Sequence, residues 1–243
     1  MGLLGVVIMD VVDSRKRKNR AELQSILQNS IEQFNNKYQH LLIAPTTITL
    51  GDEWQVVLKD PSQCYNVVHF FQKALWLDEI NIHAGFGMGT LSTAESKDIR
   101  QMDGSCFHSA RQAMTILKGT QRRKILGSRH NRVYFHSDKE ILFLGEAAVT
   151  TELLGSEQVV AIQDLINTLI QNNEILKARM TLKQRKVYID YLKYGSYRKV
   201  IEFSDERSLG NISEKLNAAE FTTIQRNHEL VEALLRYYSL LRR

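Results

Sequence analysis

The residues best suited to metal and phosphate chemistry in this chain are carboxylates at the ends of apolar runs. Asp10 closes the run Leu3–Asp10, and Asp52 sits in Gly51-Asp52-Glu53, between the strand-like runs Leu41–Leu50 and Trp54–Leu58. Two carboxylates brought close together repel unless a cation lies between them. Mg²⁺ or Mn²⁺ takes oxygen ligands of this kind and keeps open positions for substrate phosphates. Asp10 and Asp52 are therefore the candidate metal ligands. Asp13 and Glu53 are spare carboxylates nearby, and Ser14 with the run Arg15-Lys16-Arg17-Lys18 lies just before a helix. Cations beside free helix-start N–H groups suit a phosphate chain, which makes Asp13, Ser14, Arg15 and Glu53 candidates for phosphate or nucleotide binding. His83 reads as an ordinary strand residue, and Cys64 and Cys106 as inert thiols without an activating partner.

The elements that must position these groups follow from periodicity. Leu3–Asp10 reads as a buried strand. Asn19–Tyr38 repeats apolar residues at Leu23, Ile26, Leu27, Ile31 and Phe34, the spacing of an amphipathic helix. The two runs around Gly51 form a hairpin. Asp60-Pro61 is an N-cap followed by proline at the first helical position, starting a helix to about Leu77. Ile80–Met88 alternates as a fourth strand. The order βαββαβ is the ferredoxin-like unit, in which strand one lies beside the hairpin, so Asp10 and Asp52 can meet. A helix at Cys106–Leu117 and a short strand at Val133–Phe135 complete residues 1–145. Glu146–Ala178 carries a stripe through Val159, Ile162, Leu165, Ile166, Leu169 and Ile170 and is either a connector or a dimer helix. Residues 179–243 are helical, with Thr181–Tyr194 started by a Thr181 cap, then Asn211–Asn217 and Ala219–Tyr238.

Composition sets bounds on the class. The 243 residues suggest one or two domains. With 43% hydrophobic and 24% charged residues, the chain is globular rather than disordered. No apolar stretch of ~18 residues exists to span a membrane. The first strand lacks the flanks of a signal peptide, and two cysteines make neither a disulfide framework nor a Cys-rich metal site. A cytoplasmic location is the expectation. Charge is uneven: Lys177–Arg243 holds 14 Lys/Arg against 8 Asp/Glu, while the remainder holds 18 against 19. A basic tail on a neutral body suggests a polyanionic partner such as nucleic acid.

Four blocks in order, VVIMDVVDSR, ITLGDEWQVVL, INIHAGFGMGTLST and MDGSCFHSARQAM, resemble the SatD family over residues 1–120. More distantly they are similar to class III nucleotidyl cyclases, and GDEW is similar to the GGDEF hairpin of diguanylate cyclases, with Trp54 in place of Phe. The resemblance implies a palm with Asp10 and Asp52 as the two metal carboxylates. It also implies Arg111 as the catalytic arginine stabilising the phosphorane, supplied across a homodimer. Two positions depart from the cyclase pattern. Phe107 stands where those proteins carry a ribose-binding Asn, and Leu41–Gly51 contains no purine-reading Lys.

The tail resembles a helix-turn-helix of the sigma-region-4 kind, as SatD-like proteins typically carry. Leu182–Leu192 would be its first helix, followed by Asn211–Asn217 and a recognition helix from Ala219. Thr222, Thr223, Gln225 and Arg226 would then read base edges, and Lys183, Arg185 and Lys186 would touch phosphates. Tyr197–Gly210 is an insertion in that scheme. The expected fold is α+β, a ferredoxin-like palm followed by a helical DNA-binding domain. The expected function is a cytoplasmic regulator that binds nucleotide, Mg²⁺ or Mn²⁺, and DNA. The alternative is an active nucleotidyl cyclase or nucleotidyltransferase.

Overall fold

In the computed structural model, residues 2–119, 130–139, 141–142 and 160–242 are described. The expected boundary at 145 and the start of the 146–178 segment lie outside them. The strands are β1 (Leu4–Val11), β2 (Thr47–Leu50), β3 (Glu53–Leu58), β4 (Ile82–Gly89) and β5 (Val133–His136). Their order is β2-β3-β1-β4-β5, with β1 antiparallel to both β3 and β4, and β5 parallel to β4. The first four strands keep the ferredoxin-like order read from the sequence.

Alternation along β1 divides the interior. Val7, Met9 and Val11 face the helices α1 (Arg20–Tyr38) and α2 (Cys64–Leu75), while Val6 and Ile8 face α3 (Ser105–Lys118). Asn19 caps α1 by accepting from the Glu22 amide. Asp60 accepts from the Ser62 amide and starts a 3₁₀ turn at Pro61–Gln63 that runs into α2. On β4 the residues facing α3 after His83 are Gly85, Gly87 and Gly89. A Cβ added at Gly85 would stand 2.6 Å from the Met114 amide nitrogen, so α3 lies directly against the strand backbone.

The long strand expected over Leu41–Leu50 is reduced to Thr47–Leu50. Pro45 has no N–H to give a ladder. Asn35 instead spans Thr46, its side chain accepting from the Thr46 amide at 2.8 Å and donating to the Thr46 carbonyl at 3.0 Å.

The later helices are α4 (Ile162–Arg179), α5 (Leu182–Tyr194), α6 (Tyr197–Phe203), α7 (Leu209–Ala218) and α8 (Phe221–Leu241). The expected insertion therefore contains a short helix, capped by Ser196. Thr181 and Gln184 form a reciprocal capping box at the start of α5. Met180, Val187, Tyr188, Val200, Ile212, Leu216 and Ile224 share a separate core with Trp76 from the palm. Ile162, Ile166 and Ile170 of α4 and Val231, Leu235 and Tyr238 of α8 instead enter the core under the sheet. No described helix is long and apolar enough to cross a membrane.

Candidate nucleotide and metal site

Asp10 is the even-numbered residue that follows Val6 and Ile8, so its side chain leaves the sheet on the α3 side. Register places it opposite Glu53 on β3 and His83 on β4. Glu53 shares that face, because Trp54, its neighbour, is fully buried on the other side. The two carboxylates are thus cross-strand neighbours, 15% and 14% exposed. Helix α3 sends one cation to each. Arg111 donates through Nη1 to both Glu53 oxygens at 2.9 and 3.1 Å, and the Lys118 ammonium pairs with Asp10 Oδ2. Seven residues separate Arg111 from Lys118, two helical turns, so both stand on one side of α3. Gln55 and Thr49 also hold Glu53.

Asp10 Oδ1 is buried without a well-formed hydrogen bond, although His83 Nδ1 lies 3.4 Å away. Burial alone would raise the Asp10 pKa; the contacts with His83 and Lys118 outweigh it and hold the carboxyl below its ordinary value. Asp52 Oδ2 accepts from the Val11 amide at 3.3 Å, placing its carboxylate against the backbone immediately after Asp10. The hairpin tip is held by Gln24 Nε2 on the Gly51 carbonyl, and Gly51 takes φ +61°, the left-handed conformation that favours glycine.

These residues fit a hard divalent cation. The donors are carboxylate oxygens, and one of them, Asp10 Oδ1, is buried and under-used. Among the described residues no three His, Cys, Asp or Glu side chains gather as a metal site by themselves, so water or phosphate oxygens would complete the shell.

The other expected site residues are more dispersed. Asp13 takes a left-handed conformation and pairs with Lys16 at 3.0 Å, both exposed. Ser14 is buried at the start of a 3₁₀ turn, and Arg15 is exposed. Phe107 is buried in the α3-side core. Cys64 and Cys106 are buried, and burial pushes both thiols up, Cys106 to about 11, which leaves them protonated and unreactive. In the tail, Lys183, Thr222, Thr223 and Arg226 are exposed, and Arg226 stands 3.8 Å from Glu229. Lys186 pairs with Asp205. Arg185 turns inward, its guanidinium 5.5 Å from the Trp76 ring centre, and Gln225 donates to the Tyr188 hydroxyl at 2.6 Å. His83 and Lys118 were not picked out as site residues from the sequence. His83 is singled out by the register of β4 against β1, which sets it opposite Asp10. Lys118 lies one residue past the helix expected over Cys106–Leu117, two turns after Arg111.

No curated protein matches the chain. Among solved structures it is similar to the guanylate cyclase domain of RhGC from Catenaria anguillulae in complex with GTP. That likeness has a TM-score of 0.34 and 15% identity, covering 47% of this chain and 73% of that one. It is also similar to a dimeric guanylyl cyclase domain of the RhoGC fusion protein from the aquatic fungus Blastocladiella emersonii, with a TM-score of 0.33 and 14% identity, covering 46% and 72%. A third is the catalytic core of a rhodopsin-guanylyl cyclase with converted specificity in complex with ATPalphaS, with a TM-score of 0.34 and 14% identity, covering 62% and 90%. Residues 5–124, which hold β1 to β4, α3 and the clustered carboxylates and cations, match the SatD family.

Proposed function

We propose that the palm binds a nucleoside triphosphate complexed with Mg²⁺ or Mn²⁺, and that the chain is a SatD-like regulatory protein built on that palm. The observation that carries this reading is the face of four side chains in which Asp10 and Glu53 meet Lys118 and Arg111. Carboxylates and cations that neutralise each other are also what a metal–polyphosphate requires, in exchanged partnership. Asp10 and Asp52 would hold the cation, which would neutralise phosphate charge when bound. Lys118 and Arg111, released from their carboxylates, would take phosphate oxygens. Phe107 offers no hydrogen bond to a ribose, which favours binding over turnover.

The test is calorimetric titration of each NTP with Mg²⁺, with Mn²⁺ and with neither, with product analysis on the same samples. Binding should require the cation and disappear in Asp10→Asn. Lys118→Met should tighten the cation alone, because a competing ammonium is gone. Metal-independent binding, or equal binding by Asp10→Asn, refutes the reading, and release of pyrophosphate together with a cyclic nucleotide establishes the cyclase alternative.

A second reading, DNA binding by the tail, is favoured by one observation: α5, α7 and the start of α8 share one core while Lys183, Thr222, Thr223 and Arg226 remain exposed. Arg226→Ala should weaken specific binding by ~1–3 kcal/mol, and affinity should fall steeply with salt. Absence of a shift with any duplex at low salt refutes it.

A further inference from the structure

On the opposite side of the sheet from the carboxylate cluster, a cavity of about 340 Å³ lies at the seam between the palm helices and the tail. That is at the lower end of the ~300–1,000 Å³ of small-molecule sites. One wall is aromatic: Phe34 and Tyr38 of α1 and Phe70 of α2, with ring centres 5.1–5.6 Å apart across the Phe70 pairs. The other wall is polar, with Asn66, His69 and Lys73 from α2 and Gln225 and His228 from α8.

The histidines of the polar wall are held by the protein itself. Gln225 donates to the Tyr188 hydroxyl, which leaves that hydroxyl to donate to His69 Nε2 at 3.3 Å. The tautomer assigned by this chain of bonds carries its proton on His69 Nδ1. His69 is 6% exposed, and its Nδ1 is buried beside Gln72 of the same helix. His228 gives its Nε2 to Asn66 Oδ1, and its Nδ1 is buried without a partner among the described residues.

Lys73 sets the sign of the charge. Among the described residues no carboxylate pairs with its ammonium. Nearby acids are already engaged: Glu174 with Lys177 and Gln72, and Glu232 with Gln63, Asn66 and Arg236. Lys37 from α1 and Lys177 from α4 face Lys73, as do His69 and His228. Burial first, then Lys37 and Lys177, push the ammonium down to about 8. Burial together with Lys177 and Lys73 also keeps both histidines neutral.

We propose that this seam is a binding site for a small aromatic anion, its ring against Phe34, Tyr38 and Phe70 and its carboxylate or phosphate group on Lys73. The site touches α2 of the palm and both α5, through Leu192, and α8 of the tail. A ligand there reports to both halves of the molecule, and it does so independently of the nucleotide reading of the palm.

The experiment titrates the full chain with benzoate, phenyl phosphate and neutral benzyl alcohol by calorimetry, with thermal melts of each variant to establish folding. At least one of the two anions should bind saturably, about tenfold or more tighter than benzyl alcohol. Lys73→Met should lose about tenfold for the anion and nothing for the alcohol, and Lys73→Arg should keep most of the binding. Benzoate binding without phenyl phosphate marks a carboxylate ligand, and the converse a phosphate ligand; both support the site. No saturable anion binding, equal binding of the alcohol, or a folded Lys73→Met that binds as tightly as the parent overturns the proposal.

Discussion

Gly85→Ala isolates the contact that aligns α3 over the sheet. A Cβ at that position would stand 2.6 Å from the Met114 nitrogen, 2.8 Å from Met114 Cγ and 2.9 Å from the Ala110 carbonyl oxygen. Two of the three are helix backbone and cannot swing aside. Restoring ordinary contact at about 3.4 Å requires α3 to lift by roughly 0.8 Å from β4, against a core packed at crystal density. Overpacking of this kind costs about 1–3 kcal/mol, or roughly 2–4 °C in Tm for each kcal/mol in a chain of this size. Arg111 and Lys118 lie on either side of Met114, and their long side chains can follow a lift of this size. The loss should therefore appear in stability more than in the ion pairs. The assay is urea denaturation followed by fluorescence, with Gly210→Ala as the control. At Gly210, inside α7, a Cβ meets only Ser208 Oγ at 3.6 Å, and alanine there should stabilise by about 0.4–1 kcal/mol. If Gly85→Ala matches the parent within about 0.5 kcal/mol, α3 does not rest on the glycine face of β4 and the geometry of the candidate site falls with it.

Three further perturbations have definite expected outcomes. Glu174→Ala leaves the Lys177 ammonium buried with Gln72 and Tyr65 as its hydrogen-bond partners among the described residues and should cost about 3–5 kcal/mol; Glu174→Gln with Lys177→Met should recover most of that in the same urea assay. His69 and His228 are held neutral when folded, His228 down to about 3, so below pH ~6.5 the unfolded chain takes up protons that the folded chain refuses. Stability should fall as pH drops from about 6.5 towards 3, these two groups adding up to about 2.7 kcal/mol per pH unit, and His228→Gln should remove about half of that slope. Glu220 turns the chain between α7 and α8 at φ +53°, and Glu220→Gly should stabilise by up to ~1 kcal/mol by melting temperature.

What the sequence made legible was local. The run Leu3–Asp10, the Gly51 turn, the Asp60-Pro61 start and the Thr181 cap each carry their signal within a few residues, and each stands where the pattern placed it. What it hid depended on register. His83 looks like any strand histidine until the pairing of β1 with β4 sets it opposite Asp10. Lys118 looks like a helix-end cation until the glycines of β4 let α3 down onto the sheet. Lys177 and Glu174, spaced three apart, resemble a surface ion pair, yet both are buried. The strand expected from Leu41 stopped at the physics of Pro45, which a purely apolar pattern ignores. The turn before α8 lacks glycine because Glu220 adopts the strained conformation itself.

The tail is joined to the palm by more than a linker. Helix α8 runs unbroken for 21 residues, about 31 Å. Its start, Ile224, lies in the core shared by the tail helices, while Val231, Leu235 and Tyr238 lie in the core under the sheet. Helix α4 repeats the pattern, with Ile162, Ile166 and Ile170 under the sheet and Leu176 against the tail core. Detaching the tail would expose Val231, Leu235 and Tyr238 together, at about 1.5–3 kcal/mol for each large apolar side chain, a substantial share of the stability of an ordinary domain. The palm and tail should therefore unfold together. The chain supplies its own probes, since Trp54 lies in the sheet core and Trp76 in the tail core. Trp54→Phe and Trp76→Phe each leave one reporter, and denaturant curves for the two should coincide with each other and with far-ultraviolet dichroism once each variant's own stability change, read from dichroism, is allowed for. A Trp76 transition that precedes the dichroism of the same variant would mean that the tail leaves first, and that α8 breaks between Ile224 and Val231 rather than holding the two cores as one.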